Sequence, residues 1–151
     1  MEPMSSRGAE RAVALTMRGL ALAFAVVGIL FIATPDGVLD TLDDVGDWFG
    51  GFDPSPASDQ KLWLALAFAY MTVITGLALV IAMHPRRYRP FLLVLAAGKT
   101  ASSLAAGAFF VFDREVFIYL ANFVVDASLA AIALGCFALL RPARIEARAP
   151  V

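Results

Sequence analysis

The sequence is short of the residues from which most chemical sites are built. It has one cysteine, Cys136, and one histidine, His84. A single cysteine excludes an intramolecular disulfide and any CxxC redox or Cys-rich metal motif. A single histidine excludes a His-based metal cluster within one chain, so no metal site is expected. Charge is scarce as well: 17% of the 151 residues are charged and 60% are hydrophobic. A soluble domain is nearer half apolar and a quarter charged. No basic face of the kind that binds nucleic acid is present, because the arginines form short clusters beside apolar runs. Between Asp36 and Asp59 there is no basic residue at all, against seven aspartates.

What the chain does have is apolar length. Mean hydropathy is +0.77, and the excess is concentrated in four runs, at about residues 12–34, 62–83, 91–112 and 116–140. Each is long enough, at a rise of about 1.5 Å per residue, to cross about 30 Å of hydrocarbon. The expected fold is all-α, a four-helix transmembrane bundle. Residues 1–11 read as a disordered cytoplasmic N-terminus and 141–151 as a short basic cytoplasmic tail. The first run exceeds the h-region of a cleaved signal peptide, and Thr34-Pro35 is a poor cleavage context, so it reads as a retained span.

The segments between the runs have readable chemistry. Pro35 ends the first helix. Val38, Leu42, Val45, Phe49 and Phe52 then recur at steps of four and three, with Asp40, Asp43, Asp44 and Asp47 largely opposite. That pattern predicts a short amphipathic helix over 36–52, lying at the outer membrane surface as an anchor or as a lid over a cavity. Gly50-Gly51 should end it. His84 to Pro90 is a basic turn bracketed by prolines, which makes the second and third spans a hairpin, with His84 read as interfacial. Asp113-Arg114-Glu115 is a minimal turn, which makes the third and fourth spans antiparallel neighbours. Small-xxx-small spacings at Thr72/Gly76, Gly98/Ser102, Ser103/Gly107 and Ala127/Ala131/Gly135 predict close helix packing.

Charge gives the orientation. Arg7, Arg11 and Arg18, then Arg86, Arg87 and Arg89, then Arg141, Arg144 and Arg148 all fall on one side of a four-span topology. The positive-inside rule makes that side cytoplasmic, with both termini there. The other side keeps Lys61 and Arg114 beside nine acids. Arg18, inside the first run, reads as a snorkelling side chain that reaches the lipid phosphates.

The candidate site is a pair of opposite charges in the third and fourth runs. Lys99 lies about 13 residues, or roughly 20 Å, from the outer end of its helix, and Asp126 about 10 residues, or roughly 15 Å. A lysine side chain bridges that difference. A charged group at mid-membrane costs about 2.5–3.5 kcal/mol on insertion scales, so two of opposite sign should meet. Asn122, one turn from Asp126, and Ser102 and Ser103, one turn from Lys99, are expected to supply further hydrogen bonds. Tyr119 completes the candidate binding set. No catalytic residue is assigned.

A compact four-helix chain with Arg18-Gly19-Leu20 opening the first span and an extracytoplasmic segment after Thr34-Pro35 resembles the broad DoxX-like group of bacterial membrane proteins. The resemblance implies a bacterial cytoplasmic (inner) membrane and, for some members, quinone or redox partners. The redox cysteine pair that a thiol-oxidising role needs is not in this sequence. Three functions remain open. One is a non-enzymatic accessory or scaffold protein, or a small homo-oligomer, in contact with the lipid bilayer and a membrane-protein partner. The second is a carrier of a small ligand, quinone or lipid lined by Lys99 and Asp126. The third is a membrane enzyme in which Lys99, Asp126, Tyr119 and the serines do acid–base chemistry. No cofactor is assigned beyond a quinone or lipid ligand.

Overall fold

Each apolar run folds into one helix, and a fifth helix forms in the acidic connection. A computed structural model describes residues 6–56 and 60–141. The order is α1 (Ser6–Ala33), α2 (Pro35–Asp47), α3 (Lys61–Met83), α4 (Phe91–Phe112) and α5 (Phe117–Leu139). No strand occurs among the described residues; one isolated bridge joins Asp53 to Val116. Helices α1, α3, α4 and α5 are long and apolar enough to cross a membrane by length and composition.

The element boundaries differ from the sequence pattern in two places. Helix α1 begins at Ser6, so it takes in the polar segment Arg7–Arg11 that hydropathy alone leaves outside. Helix formation depends on backbone and neighbours more than on apolarity, and Ala9 is buried against the rest of the protein. Helix α2 starts with Pro35 at its first turn, where a missing N–H is harmless. It stops at Asp47 rather than running on to residue 52. Gly50 and Gly51 follow with φ of 73° and 84°, the left-handed region that glycine enters without penalty. Phe49 and Phe52 are therefore carried by a turn and a loop rather than by the helix face. The predicted tail lies outside the described residues beyond Arg141.

Packing is uneven. The extensive helix contacts are between α1 and α3 and between α4 and α5, with lighter contacts from α3 to α4, α2 to α5 and α1 to α2. The prolines of the 84–90 turn thus connect two pairs rather than making the tightest hairpin. Each long helix buries a narrow stripe: Val13, Met17, Ala21 and Phe24 on α1, Ile74, Ala78 and Ile81 on α3, Leu92, Leu95 and Ala96 on α4, and Ala133 and Cys136 on α5. Much of the remaining surface is apolar and outward, including Leu22, Leu66, Val73, Val94, Leu104, Val111, Val125 and Leu134. A soluble protein seldom exposes continuous apolar area on this scale.

Three layers of specific contact tie the pairs together. At the end that holds the 84–90 turn, Arg86 pairs with Glu10, and Arg89 donates to the Phe137 carbonyl at 3.0 Å while its guanidinium lies 3.8 Å from the Phe137 ring centre. His84 meets the edge of Tyr88 in the same turn. At the opposite end, Asp43 of α2 accepts from both the backbone N–H and the hydroxyl of Ser55, at 2.8 and 2.6 Å. The Asp53 N–H donates to the Glu115 carbonyl, and Phe49, Phe52 and Phe110 gather around Phe117 or its neighbours. Gly46 is buried there because an added Cβ would lie 2.8 Å from the Phe117 Cβ. The third layer, midway along the helices, is the charged pair.

The small-residue spacings divide. Gly107 lies where a Cβ would come within 2.9 Å of the Phe123 ring, and Ser103 is buried against α5. Thr72, Gly76, Ala127, Ala131 and Gly135 are instead exposed, and nothing lies within 4 Å of a Cβ built on Gly76 or Gly135. The Thr72 hydroxyl is satisfied by the Phe68 carbonyl of its own helix. Within the single chain those two stripes face outward and do not pack helices.

Candidate functional site

Lys99 falls on the buried stripe of α4 because Leu92, Leu95, Ala96, Ser103 and Ala106 share its helical face. Asp126 falls on the stripe of α5 with Ala130 and Ala133 for the same reason. The Lys99 Nζ donates to Asp126 Oδ1 at 2.9 Å, and both side chains are almost wholly buried, 3% and 4% exposed. The pair needs help in a low-dielectric place, since the attraction offsets desolvation only when geometry is good and further groups satisfy the ions.

That help comes from two aromatic rings rather than from the expected polar neighbours. The Lys99 Nζ lies 5.0 Å from the ring centre of Phe24 on α1 and 5.4 Å from that of Tyr70 on α3. Both distances are inside the range of about 6 Å in which a ring face attracts a cation. One ion pair is therefore surrounded by groups from α1, α3, α4 and α5. No buried side-chain nitrogen or oxygen among the described residues lacks a hydrogen-bond partner. Phe24 is buried, while Tyr70 is 36% exposed and covers the pair on the α3 side.

The other predicted residues sit apart from the pair. Ser103 is buried, but its hydroxyl donates to the Phe123 carbonyl of α5 at 2.8 Å. Asn122 is exposed and donates to Ser102 at 3.4 Å, a weak contact on the outside of the α4–α5 seam. Tyr119 packs its ring 5.7 Å from that of Phe109. The expectation that Asn122, Ser102 and Ser103 hydrogen-bond to the ions is thus corrected. Four residues along a helix turn the side chain by about 40°, and the buried stripe is narrow enough for that rotation to expose Asn122. Of the residues that sequence reasoning missed, Tyr70 carried one signal: it is the one tyrosine deep within an apolar run, since Tyr119 lies close to the start of its own. Phe24 carried none, being one of 12 phenylalanines.

No group of three or more His, Cys, Asp or Glu side chains placed to hold a metal occurs among the described residues. Two grooves on the surface stand out. One, of about 420 Å³, is an apolar recess lined by Leu104, Gly107, Phe110, Val111, Leu120 and Phe123. The other, of about 390 Å³, lies between the start of α1 and the end of α3 and is lined by Glu10, Arg11, Ala14, Arg18, Ala82 and Met83 among others. Neither includes Lys99 or Asp126.

No protein-family model, curated protein or solved structure matches this chain. The comparisons give no support to the resemblance to the DoxX-like group.

Proposed function

We propose that this chain is an integral protein of a bacterial cytoplasmic membrane, with α1, α3, α4 and α5 as spans and α2 at the outer surface. In this reading it serves as a non-enzymatic scaffold or accessory subunit, and Lys99–Asp126 fixes how its spans associate. The observation that carries the reading is the closure of the pair. Both ions are spent on each other, their side chains are almost wholly buried, and rings from two further helices cover them. The outward apolar surfaces of the four long helices support lipid as their surroundings. The arginines at the end of the 84–90 turn and the aspartates around α2 support an orientation with that turn cytoplasmic. Helix α2 has Val38, Leu42 and Val45 half-buried and Asp40, Asp44 and Asp47 exposed, as an interfacial helix needs.

Topology is tested by cysteine labelling. In a Cys136→Ser background, Asp40→Cys should react with a membrane-impermeant maleimide in intact cells. Arg87→Cys should react only after permeabilisation. Extraction of the protein by alkaline carbonate would overturn the membrane reading altogether.

A second reading has one observation in its favour. Tyr70 is the partly exposed member of the ring pair, so its displacement would open the ions toward the α3 side. A quinone or lipid carrier would use that route. Native mass spectrometry of the protein from mild detergent separates the two: a co-purifying protein supports the scaffold, and a stoichiometric quinone supports the carrier.

A further inference from the structure

Three arginines of α1 have no acidic partner among the described residues. Arg7, Arg11 and Arg18 are exposed, and the ion pairs are Arg86–Glu10 and Lys99–Asp126. At 3.6 residues per turn the three arginines fall within about 40° of one another on one face of the helix. Ala14 lies between Arg11 and Arg18 on that face, and its small side chain leaves the recess of about 390 Å³ that both arginines line. The far wall is apolar, formed by Ala82, Met83 and Pro85. Glu10 also lines the groove, but it is held by Arg86. The local balance is three cations (Arg11, Arg18, Arg86) against one anion (Glu10), a net charge of two positive.

Depth decides what can neutralise this charge. The step from Arg18 to Ala33 is roughly 22 Å at the helical rise. With Ala33 at the outer boundary of a hydrocarbon core about 30 Å thick, Arg18 lies about 8 Å below the cytoplasmic boundary and Arg11 at the level of the headgroups. At that depth Arg18 snorkels, its long side chain reaching up to the lipid phosphates at the boundary beside Arg11. Below Arg18 on the same side of α1, Leu22 and Ile29 are 68% and 59% exposed, and Met83 is 62% exposed across the groove. Leu22 and Ile29 form an apolar track that continues from the charged recess, whose wall Met83 lines.

We propose that this groove is a binding site for an anionic glycerophospholipid. Arg11 and Arg18 hold the phosphodiester, and the acyl chains lie along Leu22 and Ile29. Guanidinium groups suit this role because they present forked donors to phosphate oxygens and keep their charge at any depth. The site rests on the membrane reading given above, and it concerns a part of the molecule remote from Lys99 and Asp126.

The test uses the full chain reconstituted in phosphatidylcholine vesicles, with spin-labelled phosphatidylglycerol or phosphatidylcholine as the probe. The quantity read is the relative association of each label with the protein, from its motionally restricted spectral component. The wild-type protein should favour phosphatidylglycerol. Arg11→Gln and Arg18→Gln should each lower that preference about fivefold, the equivalent of about 1 kcal/mol per basic residue near an anionic surface. Arg87→Gln removes the same charge at the same end, outside the groove, and should leave the preference within twofold. Arg11 lies above the hydrocarbon, so its variant reports on the site even where Arg18→Gln disturbs insertion. Equal losses from Arg87→Gln and Arg11→Gln would overturn the site in favour of a diffuse basic surface, and no loss from either arginine of the groove would overturn it outright. Excess inorganic phosphate should not release the label; release would reassign the recess to a soluble anion. Failure of the protein to float with the vesicles after a carbonate wash would overturn the membrane reading and the site together, whereas insertion without lipid preference overturns the site alone.

Discussion

Asp126→Ala leaves the Lys99 ammonium nearly fully buried with no counter-ion, and the cost of that state should dominate the stability of the variant. The Phe24 and Tyr70 rings remain, but two cation–π contacts contribute about 0.5–2 kcal/mol each and do not replace a carboxylate at 2.9 Å. Removing one member of a buried pair destabilises by about 3–5 kcal/mol in soluble proteins. Lys99→Ala should fall in the same range for the reciprocal reason. A double variant, Lys99→Ala with Asp126→Ala, removes both charges together and leaves a cavity beneath the Phe24 and Tyr70 rings. Its loss should therefore be smaller than the sum by at least about 2 kcal/mol. That coupling is decisive because hydrogen bonds between membrane helices average only about 0.6 kcal/mol, with a maximum near 1.7. The assay is reversible unfolding of the four proteins in mixed micelles, followed by helix circular dichroism against denaturing detergent. A coupling of about 2 kcal/mol or more identifies a true ion pair. Additive losses would refute the reasoning, since each ion would then be solvated independently of the other.

Other outcomes follow from single contacts. Gly46→Leu should detach α2 from α5 because even a Cβ would lie 2.8 Å from that of Phe117; hydrogen exchange should rise across 38–46 while the long helices stay protected. Asp43→Ala removes both hydrogen bonds to Ser55, worth about 1.5–3 kcal/mol each for a charged acceptor, and should speed proteolysis in the 50–56 loop. Tyr70→Phe keeps the ring over Lys99 and should be near neutral, whereas Tyr70→Ala should destabilise by about 2–4 kcal/mol through lost ring area and lost cation–π attraction. If Tyr70→Phe proves as damaging as Tyr70→Ala, the hydroxyl rather than the ring face is what matters, and the aromatic account of the site fails.

Much of the helical plan was legible because it depends on quantities local to the chain. Apolar run length set α3 and α4 to within a residue, and proline and glycine marked where α1 and α2 give way. The pairing of Lys99 with Asp126 was legible for a different reason: a short turn fixes the relative depth of neighbouring antiparallel helices, so counting residues from that turn compares their heights. Rotation about the helix axis was not legible. In an amphipathic soluble helix the polar face reveals the buried one, but these helices are apolar all round, and periodicity carries no information about which side turns inward. It is rotation alone that exposes Asn122 and turns Ala127, Ala131 and Gly135 outward. The contributions of Phe24 and Tyr70 were hidden for the same reason, since they depend on how α1 and α3 are rotated against α4 and α5.

The same absence of a polar face raises the question of what selects one helix arrangement over its neighbours. Sliding α5 against α4 by one turn, about 5.4 Å, would move the Phe123 ring off Gly107, the position that leaves room for it. It would separate a 2.9 Å ion pair completely. An unpaired charge costs about 2.5–3.5 kcal/mol at the centre of a bilayer even before specific contacts are counted, so the shifted register would be populated below about one part in fifty. The aromatic rings extend that selection to α1 and α3, because Phe24 and Tyr70 meet the same ammonium only at one height of the α1–α3 pair. On the proposed reading, the pair therefore sets the relative height of all four spans. Moving it intact would test this. Shifting both residues one turn toward the 113–115 turn would require Ser103→Lys on α4 and Phe123→Asp on α5, two positions that already meet across the seam, with Lys99→Ala and Asp126→Ala. The new pair would keep its own match in depth but lose both rings. Such a protein should hold α4 to α5 and loosen α1–α3, and disulfide trapping between α1 and α4 would show the difference.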